Sequence, residues 1–235
     1  MKFSLIIPCY NEEKNLPLLL ERCAKITKHN DVEIILVDNG STDKSFEVLQ
    51  NLLPKYRGCR VVRVEKNQGY GFGILAGLKS AKGEILGWTH ADMQTDPQDS
   101  IKGLELFEQN GQNIFVKGRR FGRPFADSIF TLAMSIFETI LLGKPMWDIN
   151  AQPNMFFKKF FETWQDPPHD FSLDLYTYYQ ARRSKLKVLR FPVNFGKRAY
   201  GISNWNINWS SKIKFIRRTI AFSLQLKKSQ FRKKS

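Results

Sequence analysis

Acid is what the end of this chain lacks. None of its 22 Asp and Glu residues falls between positions 175 and 235, whereas 16 of its 37 Lys and Arg residues do. The net charge of +15 therefore belongs to the last quarter, and the first 174 residues are close to neutral. Any search for a polyanionic partner is a question about that quarter. Cysteine is scarce: Cys9, Cys23 and Cys59 are odd in number and form no CxxC pair. That argues against a disulfide framework or a thiolate zinc site and for a reducing compartment. Long apolar runs are missing too. No stretch reaches the ~18 uninterrupted apolar residues that a spanning helix needs, and the nearest, 129–143, is broken by Glu138. The opening MKFSLIIPCYNEE is too short in its apolar part for a secretory signal. These features describe a soluble or peripheral cytoplasmic protein. Gly/Ser-rich linkers and internal repeats are also absent. The simplest organisation is one domain, 1–209, with a basic extension, 210–235.

What is present can build a core. Hydrophobic residues make up 42% of the chain and aromatics 13%, which excludes a disordered chain. Short apolar runs at 3–7, 33–37, 60–64 and 84–88 read as buried strands. Between them, helical spacing occurs at 11–25, 49–53 and 73–81. Alternation at short intervals predicts an α/β fold with a mainly parallel sheet and helices on both faces. The second half reads as a strand at 114–117, a helix at 127–142, a strand returning within 147–157, a helix at 173–183, a strand at 187–191 and a basic helix at 210–226. In parallel sheets ligands bind beyond the C-terminal strand ends. Polar clusters at 8–12, 38–43, 66–69 and 90–94 all fall there.

Each motif has a plain reading beside a functional one. GYGFGILAG, 69–77, lacks the G-x-G-x-x-G spacing of a dinucleotide fingerprint and reads as a tight turn with close helix packing. Asp38 to Asp43 caps a helix, and a carboxylate there can also accept from a base or ribose. In GWTHADMQTDP, His90, Asp92 and Gln94 alternate, so an extended segment would point all three side chains one way. A carboxylate suits a hard divalent cation, which takes one or two from protein and the rest from phosphates and water. Asp148 and Asn150 sit in a bend, as an Asx turn or with Asp148 as a general base. Arg119, Arg120 and Arg123 are either a solvated patch or, with Lys197 and Arg198, forked donors to anionic substrates. In the basic C-terminal helix, Ile213, Ile216, Ile220 and Leu224 lie close to one stripe, which suits an anionic membrane surface. No nucleic-acid-binding module is legible, so nucleic acid is not expected as a partner.

SLIIPCYNEEKNLPLLL, EIILVDNGSTDKS and EKNQGYGFGILAGLKSAKGEILGWTHADMQTDP, taken in order, resemble the nucleotide-binding half of family 2 glycosyltransferases. Within it they look most like the branch of dolichyl- and polyprenyl-phosphate mannosyl- and glucosyltransferases. The likeness is tight over about the first 100 residues and looser through FVKGRR, WDINAQPNMFF and VNFGKRAYGISNWN. The resemblance implies a Rossmann-like GT-A fold and inverting transfer from a nucleotide-diphosphate sugar to a lipid-linked (polyprenyl-phosphate) or cell-surface glycan acceptor. It implies nucleotide contacts from Pro8, Tyr10, Asn11, Glu12, Asp38, Asn39, Lys66, Gly69 and Ala91. It implies a divalent ion, Mg2+ or Mn2+, at Asp92 with His90 and Gln94, basic contacts from Arg119 and Arg198, and an acceptor-side acid in Asp148. Two departures stand out. Asn39 replaces the second of two acids, and His90 replaces the first acid of a D-x-D motif. An imidazole shifts metal preference toward softer ions. The departures also motivate a rival reading, a non-catalytic nucleotide-sugar binder or membrane scaffold.

Overall fold

The computed structural model describes residues 2–29, 31–200 and 209–232. The GISNWN portion of the last motif lies outside the described residues, as do the side chains of Lys212, Lys214, Arg232, Lys233 and Lys234. The chain begins β1 (Phe3–Cys9), α1 (Leu16–Ile26), β2 (Val32–Asn39), α2 (Ser45–Leu52), β3 (Cys59–Val64), α3 (Tyr70–Ser80) and β4 (Ile85–Trp88). It continues α4 (Asp99–Asn110), β5 (Ile114–Phe121), α5 (Phe125–Leu142), β6 (Asn154–Phe157), α6 (Lys158–Phe161), α7 (Ser172–Arg183), β7 (Lys187–Asn194) and α8 (Trp209–Arg232). The seven strands form one sheet in the order β3-β2-β1-β4-β6-β5-β7. β6 runs antiparallel to β4 and β5, and every other pairing is parallel.

The strand sequences explain the layers. β1 is apolar at successive positions because both its faces are covered. Ile6 packs into a cluster with α3 and α7, while Leu5, Ile7 and Cys9 point the other way toward α1. α3 approaches the sheet closely through glycine. A Cβ at Gly77 would sit 2.5 Å from Ile6 Cγ2, and one at Gly73 would sit 2.8 Å from Asn39 Cγ. Gly69, with φ of +114°, precedes the helix. Close packing and a tight turn are thus what GYGFGILAG provides.

Two features depart from the sequence pattern. α4 has no expectation behind it, because its buried residues are Asp99, Ser100, Gly103 and Phe107, too few apolar side chains to make a stripe. β5 extends past Lys117 to Phe121, since its backbone stays paired with β7 up to Phe121 and Asn194 although GRRF is polar.

α8 leaves the stripe of Ile213, Ile216, Ile220 and Leu224 largely off the domain. Ile213 and Leu224 are exposed, and Ile216 and Ile220 are half-buried. Among its described side chains the buried ones are Ser223 and Leu226. The seat is fixed by Glu138 of α5, which is fully buried and whose Oε1 accepts from Ser223 Oγ at 2.6 Å. Its Oε2 has no partner. Burial pushes the Glu138 carboxyl up to about 7, against a smaller lowering from Ser223.

Two outcomes follow from this packing. Gly77→Val should cost about 1–3 kcal/mol by overpacking against Ile6 and Val37, read by urea denaturation. Because Glu138 binds its proton more tightly folded than unfolded, it contributes most below pH ~4.5 and loses that contribution as pH rises through about 7. Glu138→Gln should therefore gain on the wild type by on the order of 1–2 kcal/mol between pH ~5 and ~8.

Candidate active site

A cleft of about 770 Å³ opens at the C-terminal edge of the parallel strands. Its wall takes Pro8 to Asn15 from the end of β1 onward, Asn39 at the end of β2 and Asp43 beyond it, Asn67 and Gly69 before α3, and His90 to Asp92 with Gln94 after β4. Arg120, Arg123, Asp127, Phe130 and Thr131 close another side, with Phe171, Phe195, Arg198 and Tyr200. Of the residues singled out in the sequence, Pro8, Tyr10, Asn11, Glu12, Asn39, Gly69, Ala91, His90, Asp92, Gln94 and Arg198 share this one cavity.

Four others lie elsewhere. Asp38 is buried outside the wall, and its Oδ1 accepts from the Ser41 N–H at 3.2 Å. Lys66 is exposed, and neighbouring Asn67 lines the wall instead. Arg119 is exposed, and Arg120 lines the wall in its place. Asp148 is also off the wall. It grips Arg120, accepting from its backbone N–H at 3.2 Å, from Nε at 3.0 Å and from Nη2. Burial works to raise the Asp148 carboxyl, but Arg120 outweighs it and holds the group below the usual range. An acid so held is a poor proton acceptor.

The strand-end loops are tied together by Asn11. Its backbone takes φ of 57°, a left-handed conformation that asparagine tolerates. Its Oδ1 accepts from the Thr42 N–H at 2.9 Å, which fixes the loop after β1 to the loop after β2. Asn39 donates from Nδ2 to the Gly69 carbonyl at 3.0 Å, and its buried Oδ1 has no partner. It offers the cleft an acceptor.

His90, Asp92 and Gln94 are not an extended row. The chain turns there, with φ of 61° at Met93 and the Gln94 N–H donating to Asp92 Oδ1 at 3.1 Å. The turn still leaves all three in the wall. Asp92 Oδ2 pairs with Arg198 Nη2 at 2.8 Å. Gln94 and Gly196 exchange hydrogen bonds of 2.8 and 3.3 Å, which straps the segment carrying Arg198 over the turn. Glu12 stands close enough to feel Asp92. Burial chiefly raises its carboxyl, with Asp92 and Asp43 adding to the effect. Among the described residues no group of three or more His, Cys, Asp or Glu is gathered as a complete metal cage. One carboxylate with an imidazole and an amide fits an ion that takes its remaining ligands from phosphates and water.

The opposite side is aromatic and basic. The guanidiniums of Arg120 and Arg123 both lie over the Phe195 ring, at 5.2 and 5.5 Å from its centroid. Tyr70 stacks on Phe171 with centroids 4.7 Å apart, and His90 tilts against Tyr70 at 6.0 Å. Beneath them is a network that sequence reasoning missed. Asp174 Oδ1 accepts from Trp88 Nε1, Gln152 Nε2 and Asn154 Nδ2 at 2.9–3.2 Å. Lys117 Nζ donates to the Ala151 carbonyl at 2.7 Å and to Asn154 Oδ1 at 2.6 Å. Burial drives the Lys117 ammonium down to about 7 and the Asp174 carboxyl up, and each charge offsets part of the other's shift. The clue to Asp174 was an acid embedded in the apolar run SLDLYTYY.

The chain belongs to a recognised class. Residues 4–130 match the model of glycosyl transferase family 2, and the chain belongs to that family. It is 32% identical over 212 residues to a dolichol-phosphate mannosyltransferase of Pyrococcus furiosus, covering 86% of this chain and 59% of that protein. It is 37% identical over 149 residues to an undecaprenyl-phosphate 4-deoxy-4-formamido-L-arabinose transferase of Photorhabdus laumondii, covering 61% and 44%. The chain thus spans about half the length of these relatives. Two solved structures share the fold. Glucosyl-3-phosphoglycerate synthase from Mycobacterium tuberculosis, with Mn2+, UDP-glucose and phosphoglyceric acid, gives a TM-score of 0.73 at 18% identity, covering 96% of this chain and 79% of that one. The mannosyltransferase PcManGT from Pyrobaculum calidifontis, with GDP-mannose and Mn2+, gives 0.69 at 17%, covering 95% and 64%.

Lys117→Met should strand the Asp174 carboxylate and cost roughly 3 kcal/mol or more. Lys117→Met with Asp174→Asn should recover part of that loss, a coupling that a double-mutant cycle in urea reads directly.

Proposed function

We propose that this chain is an inverting glycosyltransferase that moves a hexosyl group from a nucleoside-diphosphate sugar to a lipid-linked phosphate. One observation carries the reading. Asp92 and the two clustered arginines share a cleft but lie on β4 and β5 sides of it, with β6 between. Two strand spacings are ~10 Å, room for a sugar between a leaving diphosphate and an acceptor anion. The acid at the arginine end, Asp148, is neutralised by Arg120. A phosphate acceptor is already an anion and needs no base, whereas a hydroxyl acceptor does. Relatives named for dolichol phosphate and undecaprenyl phosphate support this choice over a glycan acceptor.

The roles follow from the chemistry of each group. Asn39 Oδ1 accepts from the ring N–H of the base. Tyr10, Asn11 and Glu12 line the nucleotide end. Arg198 exchanges Asp92 for the donor diphosphate, where it stabilises charge without proton transfer. Asp92, with His90 and Gln94 alongside, would hold a divalent ion, which neutralises the charge developing on the leaving group. The imidazole favours Mn2+ over Mg2+, and the neighbouring structures contain Mn2+ with nucleotide sugars. Arg120 and Arg123 bind the acceptor phosphate. The site works at the cytoplasmic face of an anionic membrane.

The test pairs UDP-, GDP-, CDP- and dTDP-sugars with polyprenyl phosphate, with Mn2+ or Mg2+, and detects glycosylated lipid by mass spectrometry. One nucleotide class should give product. Asp92→Ala should lower turnover about 100-fold or more, and Arg120→Ala should raise KM for the lipid while the donor-induced thermal shift persists. A donor shift with no transfer would favour the non-catalytic binder instead. No shift with any donor would sink the nucleotide site.

A further inference from the structure

Tyr70 lines the cleft, and none of the roles above uses it. It is the first residue of α3. Its ring is held by two others: it stacks on Phe171 with the planes 12° apart, and His90 lies beside it tilted by 31°. Its hydroxyl is held by Gln152, a buried side chain that donates to it from Nε2 at 3.0 Å. A group fixed at ring and hydroxyl has little freedom left, which is what recognition of a single ligand atom needs. Gln152 stands two residues before β6, the strand between β4 and β5 in the sheet. The hydroxyl is therefore tied to the strand between those that lead to Asp92 and carry Arg120, the stretch of the cleft given above to the sugar.

The direction of the hydrogen bonds around that hydroxyl is forced. An indole N–H can only donate, so Asp174 Oδ1 accepts from Trp88 Nε1 at 3.2 Å. Gln152 meets the same oxygen at 3.0 Å, and only its Nε2 can stand there without setting one acceptor against another. That Nε2 is the atom that also reaches Tyr70, one proton going to each neighbour. Tyr70 Oη is therefore an acceptor toward the floor, and its own proton is left to give. Among the described residues no group takes that proton. What can take it is set by charge. Asp174 and Asp92 both stand close enough to act electrostatically on Tyr70. A phosphate oxygen brought to this point would face two carboxylates. A sugar hydroxyl suits the place, because it accepts from the phenol and can give its own proton to a carboxylate.

We propose that Tyr70 is a specificity-determining residue for the donor, its phenol O–H delivered to one hydroxyl of the transferred sugar and to no atom of the diphosphate. Gln152 is its positioning residue: it does not line the cleft, and it acts by fixing which way the phenol turns its proton. This role rests on the nucleotide-sugar reading above and is independent of the acceptor.

The measurement is titration calorimetry of the full 235-residue chain, wild type and Tyr70→Phe, with Mn2+ and UDP, GDP, CDP or dTDP, each alone and as its glucosyl or mannosyl ester. Tyr70→Phe keeps the ring on Phe171 and removes only the O–H. One nucleoside diphosphate should bind both proteins alike, which also reports that the variant is folded. Its hexosyl ester should bind the variant about 10-fold more weakly than the wild type, the worth of one hydrogen bond. Deoxy esters then name the hydroxyl that is read: the ester lacking it should bind both proteins equally. Equal binding of every hexosyl ester by the two proteins overturns the role of Tyr70 and leaves the nucleotide site standing. An equal loss for diphosphate and ester overturns it too, because Tyr70 would then serve the nucleotide or the fold. A wild type that binds no nucleotide removes the nucleotide site itself, and the role of Tyr70 with it.

Discussion

Lys117 reaches Asp174 through the side-chain amide of Asn154, and much of the molecule hangs on that bridge. Lys117 belongs to β5, Asn154 to β6, Asp174 to α7, and the Trp88 indole that completes the network to β4. These elements are distant in sequence. No strand pairing alone would hold α7 against the sheet at this depth, but a buried carboxyl under three donors does, because losing any one of them leaves charge unsatisfied. The cleft floor is rigid for that reason. Tyr70, whose hydroxyl accepts from Gln152 at 3.0 Å, is part of the same lattice and carries Phe171 on its ring.

Charge is sorted along the cleft above this floor. Carboxyl groups and their turn collect beyond β1 and β4, and guanidinium groups collect beyond β5. Each end is internally compensated: Asp92 by Arg198, Arg120 by Asp148. The two pairs differ in kind. Asp148 holds Arg120 through three donors and orients it, whereas Arg198 meets Asp92 through one contact on a strap that two hydrogen bonds fasten to Gln94. The first pair is a fixture, and the second is a single contact delivered by a strap.

The N-terminal half was legible because each strand there is a short apolar run ended by a polar cluster, and period and punctuation agreed. The strand-end rule then put ten of the chosen residues in one cavity, and Arg198 joins them from the strap. Sequence could not tell Arg119 from Arg120, since adjacent residues on an edge-side strand end differ only in direction. Asp148 lay on the expected bend, but its partner comes from another element, and only packing reveals that the acid is already engaged. Asp174 and Lys117 were hidden by their surroundings: polar atoms inside apolar runs leave no period. The seating of α8 was not legible, because it follows one buried acid on α5 and not the stripe of apolar residues.

Gly73 and Asn39 have a consequence beyond packing. The absence of a side chain at Gly73 leaves room for the Asn39 amide, and the Gly69 carbonyl takes its N–H. An aspartate at 39 would set one acceptor against another at 3.0 Å. The amide therefore reads as a local necessity of the turn, and its oxygen is left without a partner and with fixed polarity. The polarity of this point in the cleft is then written partly in the backbone of a glycine loop, and changing it would require moving a helix as well as replacing a side chain.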